Sequence, residues 1–469
     1  MKSGVTLIKG EKTGIETDYR DALPVNMYAV KKDILGAQGY MLAYPGLELF
    51  STVTGVDRGA VYNERLGSQY RVSGGQLISV DTNGVSTELG AISGTKQARM
   101  EGLYSFSTQG IIVDGKLWLY SPTSGLNQVT DADLGNPIDG VWIDSYYFMT
   151  DGEYIYHTDV ADETAIDPLK FATAEFMPDP SLGVSKTQDN KVMVWGRYSV
   201  EYFINAANDN FAFTRVQTRA QKIGIVATHA KTEGANGFYI TGGRKNESIG
   251  VYIIGVGSSV KISTREIDKL LEQYTEPELA DMRMEGRTEK GVSFVLVHLP
   301  NETLCFNETI GVALGKEVAW TILKTGVTGS QNYRAINGVF DARIGKWIYG
   351  DKIDPWLGTL SEVFTQYDLL QEWELYTPLL KMETYSIDQI ELETIPGHTT
   401  DIDAKVAFSL TDNGLTYGTE FWQLYGQPHE YNQRFFLRRL GYVGDWVGFK
   451  FRGATKSRMA FGLMEVTYS

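Results

Sequence analysis

Ile111-Ile-Val-Asp-Gly-Lys-Leu-Trp-Leu119 is two apolar runs joined by Asp114-Gly115. An Asp-Gly pair between alternating apolar residues is a strong signal for a tight hairpin, because the primed turns need positive φ at their central residues. The plan recurs in Tyr70-Arg-Val-Ser-Gly-Gly-Gln-Leu-Ile78, in Tyr147-Phe-Met-Thr-Asp-Gly-Glu-Tyr-Ile-Tyr156 and in Met193-Val-Trp-Gly-Arg-Tyr-Ser-Val-Glu-Tyr-Phe203. Looser copies centre on Gly243, Gly291 and Gly345. A hairpin repeated about every forty to fifty residues is the mark of a β-propeller, with one blade per repeat. The expectation is an all-β chain whose residues 51–360 form a propeller of six or seven blades.

The flanks read differently. Residues 1–50 are turn-rich, with Asp21-Ala-Leu-Pro-Val-Asn-Met27 and Gly39-Tyr-Met-Leu-Ala-Tyr-Pro-Gly46. They are expected to form an arm packed on the ring, or a strand that closes it. From 361 to 469 the glycine period stops and longer strands appear, such as Ala404-Lys-Val-Ala-Phe-Ser-Leu410 and Trp446-Val-Gly-Phe-Lys-Phe-Arg452. Two antiparallel layers, a β-sandwich-like domain, fit this segment. A short helical insertion is expected near 263–283. Ser263-Thr-Arg-Glu266 and Thr275-Glu-Pro-Glu278 each read as a capping box, the first followed by Ile267, Leu270, Leu271 and Tyr274 at helical spacing. The insertion reads as a loop covering a blade edge or as a protrusion that binds a partner.

Composition agrees with many short strands and turns. The 469 residues include 50 Gly, 27 Tyr, 20 Phe and 9 Trp. The net charge is −15, which argues against a protein that grips DNA through Lys and Arg on phosphates. The single cysteine, Cys305, sits in an apolar strand and is expected to be buried and inert. No stretch has signal-peptide character or the length of a spanning helix. Synthesis as a soluble cytoplasmic protein is expected.

Catalytic signatures are missing. His157, His229, His298, His398 and His429 are too far apart for a local zinc motif. There is no phosphate loop and no nucleophile elbow. His298 reads as a strand histidine. Ser409-Leu-Thr-Asp-Asn-Gly-Leu-Thr-Tyr417 resembles an Asp-box of sialidase-type propellers, but Leu410 stands where that motif has Ser. It occurs once and outside the propeller segment, so it reads as a hairpin turn whose Asp412 caps its own backbone. The pairs Asp131/Asp133 and Asp401/Asp403 have the residue type of paired glycosidase acids, but only spatial proximity would make them so. No catalytic residue, metal site or cofactor is expected. A glycan-binding or carbohydrate-active propeller is the rival reading.

Charge is partitioned in the last domain. Residues 361–433 hold thirteen acidic residues against two basic ones. Residues 434–458 hold seven basic ones, Arg434, Arg438, Arg439, Lys450, Arg452, Lys456 and Arg458, against Asp445 alone. The basic stretch reads either as a solvated face or as an interface for an acidic neighbour, including another copy of this chain.

Taken in order, several short pieces resemble one family. They include Tyr19-Arg-Asp-Ala-Leu-Pro-Val-Asn-Met27, Arg58-Gly59, Tyr62-Asn63, Tyr70-Arg-Val-Ser-Gly-Gly75, Glu201-Tyr-Phe203 and Val251-Tyr-Ile-Ile-Gly-Val-Gly257. They continue with His298-Leu-Pro300, Leu323-Lys-Thr-Gly326, Gln366-Tyr-Asp368, Thr377-Pro-Leu379, Gly448-Phe-Lys450 and Thr455-Lys-Ser457. The chain resembles the tail hubs of short-tailed phages, also called packaged-DNA stabilisation proteins. The resemblance implies a non-enzymatic virion protein with no catalytic residues to carry over. It implies a ring of copies, taken as a hexamer, below the portal and its adaptor ring. It also implies a grip on the tail needle and tailspikes or fibres, and retention of packaged DNA, which passes without sequence-specific binding.

Overall fold

The computed structural model describes residues 2–8, 23–32, 39–327, 331–382, 384–394, 399–414 and 416–469. Residues 19–22 of the arm, His398 and Leu415 lie outside them.

Seven antiparallel sheets follow one another among the described residues, at 57–91, 109–128, 139–172, 181–215, 224–261, 283–332 and 335–361. They are the blades, numbered here 1 to 7. The first strand of blade 7, Ala335–Asp341, lies against the first strand of blade 1, Asp57–Asn63, and the first strands of blades 3 and 4 also meet. First strands are therefore innermost, and the ring is closed. In blade 2 an irregular segment takes the inner position, where Arg99 and Ile112 exchange backbone hydrogen bonds of 2.8 and 2.9 Å.

Each blade holds one of the glycine hairpins. Asp114 (φ 49°) and Gly115 (φ 73°) both adopt the left-handed backbone that the Asp-Gly pair predicts. Gly75, Gly152, Gly196 and Gly243 sit between second and third strands, whereas Gly291 and Gly345 mark the first hairpin of their blades. Either turn of a blade can be primed, so the spacing counts blades without fixing strand positions.

Blade faces bury one another through separate apolar clusters. Tyr70, Val72 and Ile111 join blades 1 and 2, Leu119 and Tyr147 join 2 and 3, and Phe148 and Phe203 join 3 and 4. Tyr44, Phe294 and Tyr349 lie between blades 6 and 7. The cluster at the junction of blades 7 and 1 is the smallest of these, with Ile78, Val80, Ile348 and Leu357 buried. Polar groups complete it. Arg71 pairs with Asp57 at 2.7 Å and donates to the carbonyl oxygens of Asn337 (3.2 Å) and Ile348 (2.7 Å), and Asn337 donates to Asp57 at 2.5 Å. Gly350 lacks a side chain where the Asp57 carboxyl stands; a Cβ there would lie 2.3 Å from it.

Closure also uses the chain's beginning. Gly46–Thr52 pairs antiparallel with Trp356–Ser361 and becomes the fourth strand of blade 7. Thr365–Gln366 and Leu369–Leu370 extend that sheet. The expected boundaries at 50 and 360 thus fall inside one sheet, because a closing strand comes from one side of the ring sequence and pairs on the other.

The arm does not lie on the ring alone. Lys2–Thr6, Met27–Val30 and Tyr40–Ala43 join one sheet with Tyr385–Thr394, Phe435–Val443 and Ala460–Tyr468. The second layer is ordered Trp373–Tyr376, Trp446–Gly453, Lys405–Thr411, Phe421–Leu424. Between the arm's strands, Val25 donates to the Glu374 carbonyl and Asn26 to that of Ile322, both at 2.9 Å, stitching the sandwich to blade 6. One apolar cluster runs from Trp195 and Phe306 in the ring through Met27 to Phe461 and Met464 in the sandwich.

The helical insertion is Arg265–Leu271 followed by a 3-10 turn, Glu278–Asp281. The first capping box does not form. Thr264 is the N-cap, and the Ser263 hydroxyl instead accepts from Val251 N and donates to Asp268. In the second, Glu278 accepts from the Thr275 amide at 2.7 Å, so only the reach-back half is made. A further helix, Glu308–Leu314, was not expected; its signal is Asn307, whose side chain caps Ile310 N.

Arg71→Met removes the only cation within hydrogen-bonding distance of buried Asp57 among the described residues. A loss of about 3–5 kcal/mol is expected, measured by urea unfolding. A variant as stable as the parent would show that the ring closes without this network.

Candidate functional site

The innermost strands carry charge where a propeller axis could be open. Asp139, fully buried in blade 3, receives Lys231 of blade 5 at 2.6 Å, Arg99 of blade 2 at 3.0 Å and the Val184 amide of blade 4 at 2.9 Å. Burial alone would raise the Asp139 carboxyl, but Lys231 and Arg99 outweigh it and hold it below the usual range. Gly183 makes the contact possible, since a Cβ there would stand 2.8 Å from both Asp139 Oδ2 and Lys231 Nζ. On blade 6, Glu285 accepts from the Asn337 and Gly338 amides of blade 7 at 2.6 and 3.1 Å. These acids were not singled out in the sequence, because their partners lie on other blades.

The seven basic residues do not form one surface. Arg438 and Arg439 belong to the sheet shared with the arm, with Arg434 just before that strand, whereas Lys450 and Arg452 belong to the other layer. Several are already neutralised by the acidic segment of their own chain. Arg452 forks onto Glu420 at 2.5 and 2.6 Å and reaches Glu372 at 2.7 Å. Lys450 meets Glu374 at 2.6 Å, and Arg434 holds Glu391 through two bonds of 2.5 and 2.6 Å. The cause is strand register: Glu374 pairs with Arg452 and Tyr376 with Lys450 across two antiparallel strands. The charge partition is therefore in large part internal.

What remains is smaller. Arg438 is exposed, bonded to Gln389 and stacked 4.7 Å from the Phe436 ring. Arg439 is exposed at a bulge with φ 60°, opposite Asp388. Lys456 is exposed and makes no ion pair among the described residues. Arg458 turns into a cleft with Tyr28 and Arg287.

Other candidates resolve into structure. Asp131 Oδ1 accepts from Asp133 N and Asp401 Oδ1 from Asp403 N, so both pairs are local turns. The Asp-box-like turn is held by Thr411, which accepts from Gly414 N at 2.8 Å, and by Asn413, which accepts from Thr416 N at 2.9 Å. Among the described residues, these two and not Asp412 cap it. Cys305 is fully buried, and burial pushes its thiol up to about 12. His229 lies in the connection before Lys231–Gly234, and His429 is exposed in a loop. No group of side chains suited to a metal ion occurs among the described residues. No described helix is long and apolar enough to cross a membrane.

Two family models cover the chain. The bacteriophage P22 Gp10 β-propeller matches residues 3–365, and the bacteriophage P22 Gp10 β-sandwich matches residues 372–469. A curated relative, tail hub protein gp10 of Salmonella phage P22, is 29% identical over 94% of this chain and 93% of its own length. Among solved structures, virginiamycin B lyase from Staphylococcus aureus gives a TM-score of 0.43 at 10% identity, covering 66% of this chain and 97% of that one. The Neurospora crassa Pan2 WD40 domain gives 0.41 at 9%, covering 67% and 94%. Both scores are too low to carry an argument about this chain.

Three histidines make the fold sensitive to acid. His157 Nδ1 donates to the Thr158 carbonyl at 2.8 Å while Nε2 accepts from Ala212 N at 3.1 Å, which requires a neutral ring. Burial lowers His157, lowers His229 well below its ordinary value, and lowers His298 to about 4. The unfolded chain then binds protons that the folded chain does not. The stability these rings contribute is complete above about pH 6.5 and is lost as pH falls toward 4, by up to about 1.4 kcal/mol per pH unit for each ring. Urea unfolding at pH 7, 6 and 5 measures this slope, and His157→Gln should remove one share of it. Equal stability at all three values would mean that none of the three rings is held neutral.

Proposed function

The chain belongs to the bacteriophage P22 Gp10 family, propeller and sandwich in that order, and from that premise we propose that it is a structural tail hub of a short-tailed phage. The observation that carries this reading is the order and coverage of the two modules, which leaves few residues outside the family pattern. As a hub it is a virion component and not an enzyme. It sits below the portal-adaptor ring as a ring of copies, six in number, holds the needle and tailspikes, and retains packaged DNA until ejection. Residues 51–360 serve as the rigid body, 361–469 as the docking domain and 1–50 as the strap between them.

Physical reasoning supports the role. Packaged DNA pushes outward, and a hub must resist that force without gripping the duplex. Blades joined by apolar clusters and buried ion pairs resist deformation, and a net charge of −15 disfavours adhesion to phosphate. The glycan-binding alternative has little behind it, since the single Asp-box-like turn lies in the sandwich and not in a blade.

Particles made without this protein should fill with DNA and then lose it, and adding the purified chain should restore retention. Infectious, DNA-filled particles from the deletion would overturn the reading, as would cleavage of a glycan by the purified chain.

Arg438, Arg439 and Lys456 are the proposed interface cations, now that Arg434, Lys450 and Arg452 are engaged at home. Identical copies in a ring meet head to tail, so unlike faces must match. The double reversal Arg438→Glu with Arg439→Glu should slow assembly onto the adaptor ring most at low salt, leaving the fold intact. Assembly equal to the parent across a salt series would make this an ordinary solvated face.

A further inference from the structure

We propose that a cleft between blade 6, the arm hairpin and the sandwich binds a carboxylate, held by Arg287 and Arg458. Tyr28, Leu42, Phe294 and Phe364 form much of its wall with these two arginines. Arg287 projects from the innermost strand of blade 6, Arg283–Glu289. It is 3% exposed, and none of its Nε, Nη1 and Nη2 atoms has a hydrogen-bond partner. Its guanidinium lies 5.0 Å from the Tyr44 ring and 4.8 Å from the Phe294 ring. Aromatic rings satisfy the faces of a guanidinium, but its five N–H donors lie in the plane. The hydroxyls of Tyr44 and Tyr333, near enough to act on its charge, are also unpartnered. The phenols near Arg287 can accept as well as donate, but they are neutral and supply no counter-charge. A buried charge in this condition is unfavourable unless a counter-charge reaches it.

The charge in the cleft sets the ligand. Arg458 is a second cation without an ion pair among the described residues. Lys290 is taken by Glu362 at 2.5 Å, and Glu289 is the remaining acid of the lining. One positive charge is left over, which matches a carboxylate and not a phosphate dianion. The Glu289 and Glu362 carboxylates would also repel the several phosphates that a nucleic acid brings together. Tyr28, pushed up to about 12 by burial, stays protonated. The apolar wall of Leu42, Val292 and Phe364 suits the carbon chain behind a carboxylate.

The ligand is either a free small acid or a carboxylate of a neighbouring virion protein. The first arm uses the isolated full chain and does not depend on the hub reading. Trifluoroacetate is titrated with the chain and its fluorine line width followed, with trifluoroethanol as the neutral control. Saturable broadening, reversed by acetate, is expected. Arg458→Gln, a change on a partly exposed connection, should weaken binding at least about tenfold, as loss of a charge-assisted hydrogen bond does. Broadening no greater than with trifluoroethanol would overturn the proposal. So would an unchanged curve for Arg458→Gln, or displacement by inorganic phosphate at lower concentration than by acetate. The second arm repeats the titration on the chain assembled in tails, and it rests on the hub reading. Persisting broadening supports a free acid in the site, and lost broadening supports a neighbour's carboxylate occupying it.

Discussion

A ring of sheets is stable only if its last member finds its first, and this chain meets that constraint with polar groups. The junction of blades 7 and 1 has the smallest apolar cluster, yet it holds Arg71, Asp57 and Asn337 in mutual hydrogen bonds with both charges buried. Such a pair contributes less to net stability than to uniqueness, because each charge tolerates few other arrangements. The fourth strand of blade 7, Gly46–Thr52, adds a second closure that spans the ring sequence. Non-local closure of this kind forms late and slowly, since the whole ring must be ordered before its ends meet.

Rigidity extends beyond the ring. The arm supplies strands to the sandwich and backbone hydrogen bonds to blade 6, and Lys2–Thr6 pairs with the chain's last strand, Ala460–Tyr468. A single apolar cluster crosses from ring to sandwich. Force applied to either module is therefore carried through packed side chains to the other.

The legible part of the sequence was local. Asp114-Gly115 and its counterparts marked every blade, because a tight turn depends on a few residues and their immediate neighbours, although only some of these turns, such as Asp114-Gly115 and Lys290-Gly291, have the left-handed backbone at both central residues. Thr264, not Ser263, capped the insertion, because the Ser263 hydroxyl was claimed by Val251 and Asp268. The meaning of the basic stretch around Lys450 and Arg452 was not legible. The register that sets Glu374 opposite Arg452 is a property of paired strands far apart in sequence. Asp139 and Arg287 were overlooked for the same reason. Each is an ordinary residue in its own strand, and its chemistry comes from parts of the fold that lie far off along the chain.

The Asp139 contact has a geometric consequence. A carboxylate on blade 3 that touches Arg99 of blade 2, the Val184 amide of blade 4 and Lys231 of blade 5 ties four consecutive blades together at their inner edges. Those four blades cannot part at their inner edges without leaving a buried charge unpaired, so opening the ring on that side exposes an ion as well as apolar surface.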